Sequence, residues 1–306
     1  MGIIPKSWLA FELNILRRLK YESIGLPFAG EPNLGAYLKR SNVRVLANDF
    51  LPSLYAKSLA QIQNNGEKLT ETEVASVLED VYVPRYKLQN PSLRNWFSET
   101  DAWWFDNIRQ NVEKISSPTR KAVALEIGMN VGDYALSFSE DTLEFRQPLS
   151  NVFKRLWSVQ PEPVNNGQNN NCTNKIASNF IAENYPDLLF LRLPRAHHQQ
   201  LKTALGRIAW RDEWVRGGDF FWDDLEKARA GKLGANVETK SQYLRLIEDI
   251  LKTASHIGKW VIAHVEDGFI STPDIVETIG KIRRVDTIYT KDFTELTGTK
   301  AVIITA

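Results

Sequence analysis

Two arginines stand at the end of a short apolar segment in the stretch DLLFLRLPRAHHQ, residues 187–199. The segment begins with an acidic residue, continues through apolar side chains, and ends at Arg192, Pro194 and Arg195. This pattern predicts a buried β-strand that leads into a loop. In α/β proteins the carboxyl ends of parallel strands border the crevice that holds ligands. We therefore expect the two guanidinium groups to lie at a functional crevice, or at one whose function has been lost.

Two segments near the amino terminus end in residues suited to binding a nucleotide. The stretch LPFAGEPNLGAYL places Phe28 and Gly30 after an apolar strand, and VLANDFLPSLY places Asn48 and Asp49 after the next one. A glycine lets the backbone approach a ligand closely, and a carboxylate at the second strand end can accept hydrogen bonds from ribose hydroxyls. The same residues are also typical of an ordinary strand–helix–strand unit with a glycine turn and a capping Asp. Both interpretations stay open.

The order of apolar patterns predicts how these segments are positioned. Strands alternate with helices over residues 1–60 and again over 175–306, which predicts an α/β class protein with one Rossmann-like, doubly wound, mostly parallel sheet. Residues 61–165 are helical by period and predict an insert. The Asn-rich tract 166–174 is expected to be a flexible loop. A tryptophan-rich excursion over residues 197–240 is interpreted as core under a long connection rather than as a base-stacking surface.

Composition and charge narrow the classes of partner. The chain has 306 residues, 43% of them hydrophobic and 25% charged, which is enough for a full core. The formal net charge of +1 provides no strong field that would attract nucleic acid or membrane. No apolar run approaches the roughly 18 residues of a spanning helix, and the first residues lack a signal pattern, so we expect a cytoplasmic protein without a membrane partner.

These segments together resemble the Dam-type adenine-specific DNA methyltransferases, over nearly the whole chain but most specifically in its first third. The S-adenosylmethionine loop of that family reads Pro-Phe-x-Gly-x-Gly, and this chain has PFAGEP at residues 27–32. The family's next strand ends in Asp or Asn-Asp, as Asn48 and Asp49 do here, before a helix with a Leu-Tyr pair at residues 54–55. A later family strand ends in Asp-Pro-Pro-Tyr, which aligns with residues 192–195.

The resemblance implies a fold and a set of contacts. It implies a sheet of the class I methyltransferase type, a target-recognition role for the helical insert, and a place in a restriction–modification system. It also assigns the binding of S-adenosylmethionine to residues of the first two strand ends and of the amino-terminal segment. Those residues are Lys6, Phe28, Gly30, Asn48 and Asp49.

The chain departs from the family where the chemistry takes place. Instead of Asp-Pro-Pro-Tyr it has Arg192, Leu193, Pro194 and Arg195. The family's Asp accepts hydrogen bonds from the adenine amino group, and its Tyr stacks on the flipped base. Arginine has only donors and stays charged, so we expect no catalytic residue at this degenerate position. Pro32 replaces the second loop glycine, and we therefore expect the binding of S-adenosylmethionine to be weak or lost.

Three functional hypotheses follow. The preferred one is a catalytically impaired methyltransferase-like protein with a binding role, or a role as the partner subunit of an active methyltransferase. The second is an active S-adenosylmethionine-dependent DNA adenine methyltransferase with divergent motifs. The third is a nucleotide or anion binder that uses Arg192 and Arg195. DNA binding is expected to be weak, because residues 61–165 contain eleven basic and fifteen acidic residues.

Other candidate residues carry weaker signals. His197, His198 and His264 lack the spacing of a zinc site, so no metal is expected. Cys172 has no base near it in the sequence. A buried guanidinium needs an anion, so we also expect Arg192 or Arg195 to form a salt bridge with Glu31 or Asp49.

Overall fold

The computed structural model describes residues 6–80, 87–266, 268–294 and 298–306 of the chain. Within them a seven-stranded sheet has the order β3-β2-β1-β4-β5-β7-β6. The strands are β1 (Ser23–Leu26), β2 (Arg44–Asn48), β3 (Asn171–Thr173), β4 (Leu188–Arg192), β5 (Lys259–Glu266), β6 (Thr287–Asp292) and β7 (Lys300–Thr305). The pairs from β3 to β5 are parallel, and β7 is antiparallel to both of its neighbours. The α/β class and the mostly parallel open sheet are as predicted.

Helices cover both faces of this sheet. They are α1 (Lys6–Leu16), α2 (Asn33–Arg40), α3 (Pro52–Ser58), α4 (Glu71–Val77), α5 (Glu99–Val112), α6 (Pro118–Ala135), α7 (Leu149–Ser158), α8 (Ala177–Glu183), α9 (Leu201–Leu205), α10 (Ala209–Arg216), α11 (Trp222–Arg229), α12 (Lys240–Thr253) and α13 (Thr272–Gly280). A π-helical turn (Leu59–Gln63) extends α3, and 3₁₀ turns occur at Pro91–Asn95, Glu140–Phe145 and Gly206–Ile208. No helix in the described ranges is long and apolar enough to cross a membrane.

Alternation along the strands explains the two layers of helices. Ile24 and Leu26 of β1 and Phe190 of β4 belong to a core that includes α1 and α2. Leu189 and Leu191 of β4 belong to the opposite core, which includes α8, α12 and α13. Successive side chains of a strand point to opposite faces, so a sheet covered on both faces needs apolar residues at both odd and even positions along each strand. This is why the strands read as continuous apolar runs.

A separate core holds the helices of the predicted insert. Residues of α4 to α7 pack around Phe105, which is fully buried. Trp210 and Trp214 of α10 enter this same core, and they lie against Gly132 and Gly128 of α6, where a Cβ atom would overlap the indole rings. The insert core is thus completed by a helix from the later excursion. The interpretation of the tryptophans as core fits these positions, although Phe220 is exposed.

The Asn-rich tract 166–174 is not a flexible loop throughout, which corrects that prediction. Its end forms the edge strand β3, parallel to β2. Asn170 is buried, and its Oδ1 accepts a hydrogen bond of 2.9 Å from the Val45 backbone N–H. Asn166 donates its amide to the carbonyls of Lys39 and Val43. Side-chain amides satisfy main-chain groups here, so a tract with the composition of a loop is fixed against the sheet.

Candidate functional site

The carboxyl ends of β1, β2 and β4 meet at the centre of the sheet. The chain runs outward from β1 through β2 to β3, then returns to the other side of β1 with β4. Such a reversal of strand order opens a crevice between the first strands on either side, and ligands of α/β proteins bind there. The structure brings the predicted residues Phe28, Gly30, Asn48, Asp49 and Arg192 to this one edge.

Asn48 ties the strand ends together from the inside. Its side chain is buried and donates to the carbonyls of Pro27 (3.0 Å) and Lys175 (2.9 Å). Its Oδ1 accepts from Thr173 Oγ1 and from the Lys175 N–H. All four of these hydrogen bonds stay within the protein, so Asn48 positions the loops after β1 and β3 rather than facing a ligand.

Asp49 holds the glycine turn and the start of α3. One carboxylate oxygen accepts from the Gly30 N–H at 2.9 Å and the other from the Leu51 N–H at 3.0 Å. Gly30 has φ +63, a conformation that favours glycine. Burial raises the pKa of Asp49 to about 6, although the backbone N–H groups that it accepts from partly offset the rise. The carboxyl therefore takes up a proton more readily than an ordinary Asp, but it remains mainly ionised at neutral pH.

Arg192 forms its ion pair with Glu12 of α1, not with Glu31 or Asp49, so the partner we predicted is wrong. The pair is bidentate, with Nε to Oε1 at 3.0 Å and Nη2 to Oε2 at 2.8 Å. The third guanidinium nitrogen, Nη1, donates to the Ala29 carbonyl at 3.2 Å. Glu12 is fully buried, and Arg192 is mostly buried. The guanidinium therefore occupies the space beside the glycine turn.

The sequence carries a signal for this pairing, which is an acidic residue on the apolar face of α1. Glu12 stands four residues after Trp8 and four before Leu16, and both are buried. Residues at this spacing share one face of a helix. A buried charge is stable only when it is paired. Glu12, as a lone acid on the apolar face of this helix, is therefore expected to form an ion pair with a cation.

Glu31 instead links the glycine turn to the insert. Its carboxylate binds Lys57 of α3 at 2.9 Å and Arg211 of α10 at 3.1 Å, and Arg211 also binds Asp133 of α6 at 2.6 Å. Because Glu31 is half exposed, each of these contacts is individually weak. Together they fix the orientation of α10 relative to the crevice.

The three residues after Arg192 have different surroundings. Leu193 is buried, and its N–H donates to the Ala263 carbonyl at 2.9 Å. The Pro194 carbonyl accepts a hydrogen bond from the Tyr243 hydroxyl. Arg195 is exposed and forms no salt bridge with any described residue. Its side chain lies at the rim of a cavity.

That cavity has a volume of about 310 Å³ and lies where the strand ends meet the excursion. Phe28, Asp49 and Phe50 line it from the strand ends, and Leu201 and Leu233 line it from the excursion. Two cations of the excursion, Arg229 and Lys232, complete the wall. Sequence reasoning missed these two residues, because no motif or spacing in a polar excursion indicates which side chains fold back over a sheet edge.

A second cavity, of about 340 Å³, lies between α2, the π-helical turn and α6. Several of its polar side chains are paired within the protein. The ammonium of Lys39 donates to the Asn64 carbonyl, and Gln61 donates to Glu126. Burial lowers the pKa of Lys39 to about 8 and raises the pKa of Glu126. Because these buried groups are satisfied internally, this cavity offers less to a ligand than the crevice.

The histidines considered as metal ligands make contacts within the protein fold. The two ring nitrogens of His197 lie 2.8 Å from the Gln199 carbonyl and 3.2 Å from that of Gly234, so this side chain holds the cavity wall. His264 is buried in β5. Within the described ranges no three His, Cys, Asp or Glu side chains are grouped as a metal site would require.

Burial raises the pKa of Cys172 to about 12, so its thiol stays protonated. Lys6 begins α1, and its side chain lies outside the described part of the structure.

Comparison with known proteins adds no family assignment. No protein-family model matches the chain, and no curated protein matches it.

Proposed function

We propose that this chain is a catalytically impaired, methyltransferase-like binding protein. The resemblance in the first strand ends and the order of the sheet support it. An antiparallel β7 inserted between β5 and β6 is the arrangement that the class I methyltransferase type implies. The insert core around Phe105 is compatible with a recognition module in the family's position.

The observation that carries the proposal is the Arg192–Glu12 ion pair. A base amino group is activated by acceptors, and the aligned position holds a guanidinium whose nitrogens all donate within the protein. Converting this position to an acceptor would require breaking a bidentate pair with a fully buried acid. Restoring the transfer chemistry would therefore require repacking α1 as well as replacing the side chain of Arg192.

The surroundings of Gly30 fit S-adenosylmethionine poorly. A Cβ placed on Gly30 would lie 3.6 Å from Arg192 Nη1, so the guanidinium borders the open side of the glycine at van der Waals distance. Both Asp49 oxygens already accept backbone N–H groups, and the side chain is buried. Glu12 neutralises Arg192, so beside the glycine turn the obstacle for a sulfonium cofactor is the nearby guanidinium group and the committed hydrogen bonds of Asp49 rather than the charge of Arg192.

The first consequence is that the purified protein transfers no methyl group to adenine. Incubation with unmodified duplex DNA and labelled S-adenosylmethionine should give incorporation equal to that of a protein-free sample. A calorimetric titration with S-adenosylmethionine should give no saturable heat up to about 1 mM, which corresponds to roughly −4 kcal/mol.

Two results would contradict the expected absence of methyl transfer and of cofactor binding. Incorporation above background that disappears in Asp49→Ala would support an active enzyme with divergent motifs. Saturable binding without incorporation would support a protein that retains the cofactor as a ligand. The Asp49→Ala variant needs an unfolding curve beside it, because Asp49 also holds the glycine turn.

The second consequence concerns DNA. Since residues 61–165 have four more acids than bases, phosphate contacts by the insert should be few. Fluorescence anisotropy with a labelled duplex should show binding weaker than about 1 μM at physiological salt. A steep decrease of affinity with salt, starting from submicromolar binding, would instead indicate several phosphate contacts and restore a DNA-reading role for the insert.

A further inference from the structure

The cavity at the strand ends carries an excess of positive charge. Among the residues that line it, Arg195, Arg229 and Lys232 are cations, and Asp49 is the acid. With three cations to one acid, the lining keeps a positive excess even when Asp49 is ionised. A cationic ligand such as a sulfonium compound suits this balance badly, and an anion suits it well.

Arg229 is the residue that points most directly to a ligand. It is 6% exposed, and its Nε donates to Glu226 at 3.2 Å. Its Nη2 has no hydrogen-bond partner among the described residues. The other oxygen of Glu226 accepts from the Leu201 N–H, so the carboxylate is shared. A buried donor without a partner destabilises the folded state. Nη2 itself is closed to solvent, but the Arg229 side chain lines the cavity, so a small rotation of the guanidinium would let an anion there supply the missing acceptor.

The rest of the cavity is apolar and partly aromatic. Phe28 and Phe50 approach from the ends of β1 and β2, and Pro194 approaches from β4. Gly234, with φ +96, brings the excursion backbone close to Phe28 and Pro194. A volume of about 310 Å³ is at the lower end of the range for small-molecule sites. Aromatic walls of this kind bind flat rings by stacking.

We propose that the cavity binds a nucleoside monophosphate, with the phosphate at Arg229 and Lys232 and the base between the aromatic walls. The proposal rests on the proposed function, in that the crevice binds and does not transfer. The Arg229 guanidinium can form a bidentate contact with phosphate, whereas Lys232 acts as a point charge. Asp49 lines the cavity at the end of β2, but both of its oxygens already accept backbone N–H groups, so the phosphate and the base supply the binding contacts.

The test is a set of calorimetric titrations of the full chain at low salt. Adenosine 5′-monophosphate should bind with a Kd in the micromolar range, and adenosine and inorganic phosphate should each bind at least about tenfold more weakly. Phosphate binding as tight as that of the nucleotide would overturn the assignment of the base to the aromatic walls. No saturable heat with the nucleotide up to about 1 mM would overturn the proposal as a whole.

Variants separate a ligand contact from a structural role. Arg229→Gln should weaken binding of the nucleotide by about tenfold or more. Its unfolding midpoint should stay close to that of the wild type, because the Gln amide can still donate to Glu226 and a buried donor without a partner is removed. Lys227→Gln, on the same helix but with a side chain 78% exposed, should leave binding within about twofold. Unchanged nucleotide binding in Arg229→Gln would overturn the assignment of the phosphate.

The same titrations keep this proposal distinct from the proposed function. If a methyl group is transferred to adenine and adenosine 5′-monophosphate does not bind, both fail. If neither S-adenosylmethionine nor the nucleotide binds and no methyl group is transferred, only the nucleotide site fails and the impaired enzyme remains. If the nucleotide binds and methyl transfer is also observed, the nucleotide site stands and the proposed function fails.

Discussion

Replacing Glu12 by alanine should lower the free energy of unfolding by about 3–5 kcal/mol. The substitution leaves the Arg192 guanidinium, which is mostly buried, with one remaining acceptor, the Ala29 carbonyl. Removing one member of a buried pair is costly because the other charge stays desolvated without compensation. The measurement is a urea unfolding curve of each variant, with the slope compared to confirm that the same transition is observed.

A double variant tests whether the cost comes from the unpaired charge. Glu12→Leu with Arg192→Met replaces the pair by apolar side chains of similar size, and its stability should return to within about 1–2 kcal/mol of the wild type or exceed it. The exposed pair of Arg94 and Glu99 is the matched control, and Glu99→Ala should leave the midpoint almost unchanged. If Glu12→Ala behaves like that control, the ion pair is not a fixed part of the crevice.

The pairing of Arg192 also marks the limit of what the sequence predicts. The periodicity of apolar residues predicted where the strands end. Because parallel strands end at the same edge of a sheet, it also predicted that Gly30, Asp49 and Arg192 lie at one edge. Which acid reaches Arg192 depends on how α1 crosses the sheet, since Glu12 and Arg192 are 180 residues apart. Local propensity carries no information on that crossing. The partners we predicted, Glu31 and Asp49, are near in the motif but are engaged by Lys57 and by backbone N–H groups.

The predictions for the remaining segments failed or succeeded for similar physical reasons. The tract 166–174 lacks apolar alternation because β3 is a short edge strand fixed by asparagine side chains, and composition alone therefore indicates a loop. The tryptophans of the excursion were recognisable as core from their size. Their location in the insert core depends on Gly128 and Gly132, whose small size is visible in the sequence but whose neighbours are not.

Asp212 should make the stability of the protein fall as the pH rises. It lies on α10, and its Oδ1 accepts from the Ser53 N–H at 2.9 Å in the first turn of α3. Burial, with a smaller contribution from the nearby Asp49, raises the pKa of Asp212 to about 7. Arg211, the adjacent cation, and the hydrogen bonds from Ser53 offset only part of that rise.

The direction of the effect follows from proton binding. Between the unfolded pKa of about 3.9 and the folded value of about 7, the folded protein binds more protons at this site than the unfolded chain does. Stability from this group is therefore greatest below about pH 4 and decreases through that window, by an amount on the order of 4 kcal/mol. Above about pH 7 the carboxylate is ionised in both states and the cost is constant.

Asp212→Asn should remove this dependence, because asparagine keeps an oxygen to accept from Ser53 and does not ionise. Urea unfolding of both proteins between about pH 4 and pH 8 should show the variant gaining on the wild type as the pH rises, by several kcal/mol across the window. The difference between the two curves isolates Asp212 from other titrating groups. Asp224→Asn, whose side chain is 83% exposed, is the matched substitution and should run parallel to the wild type. Parallel curves for Asp212→Asn as well would mean that water reaches this carboxylate and that its burial against α3 is wrong.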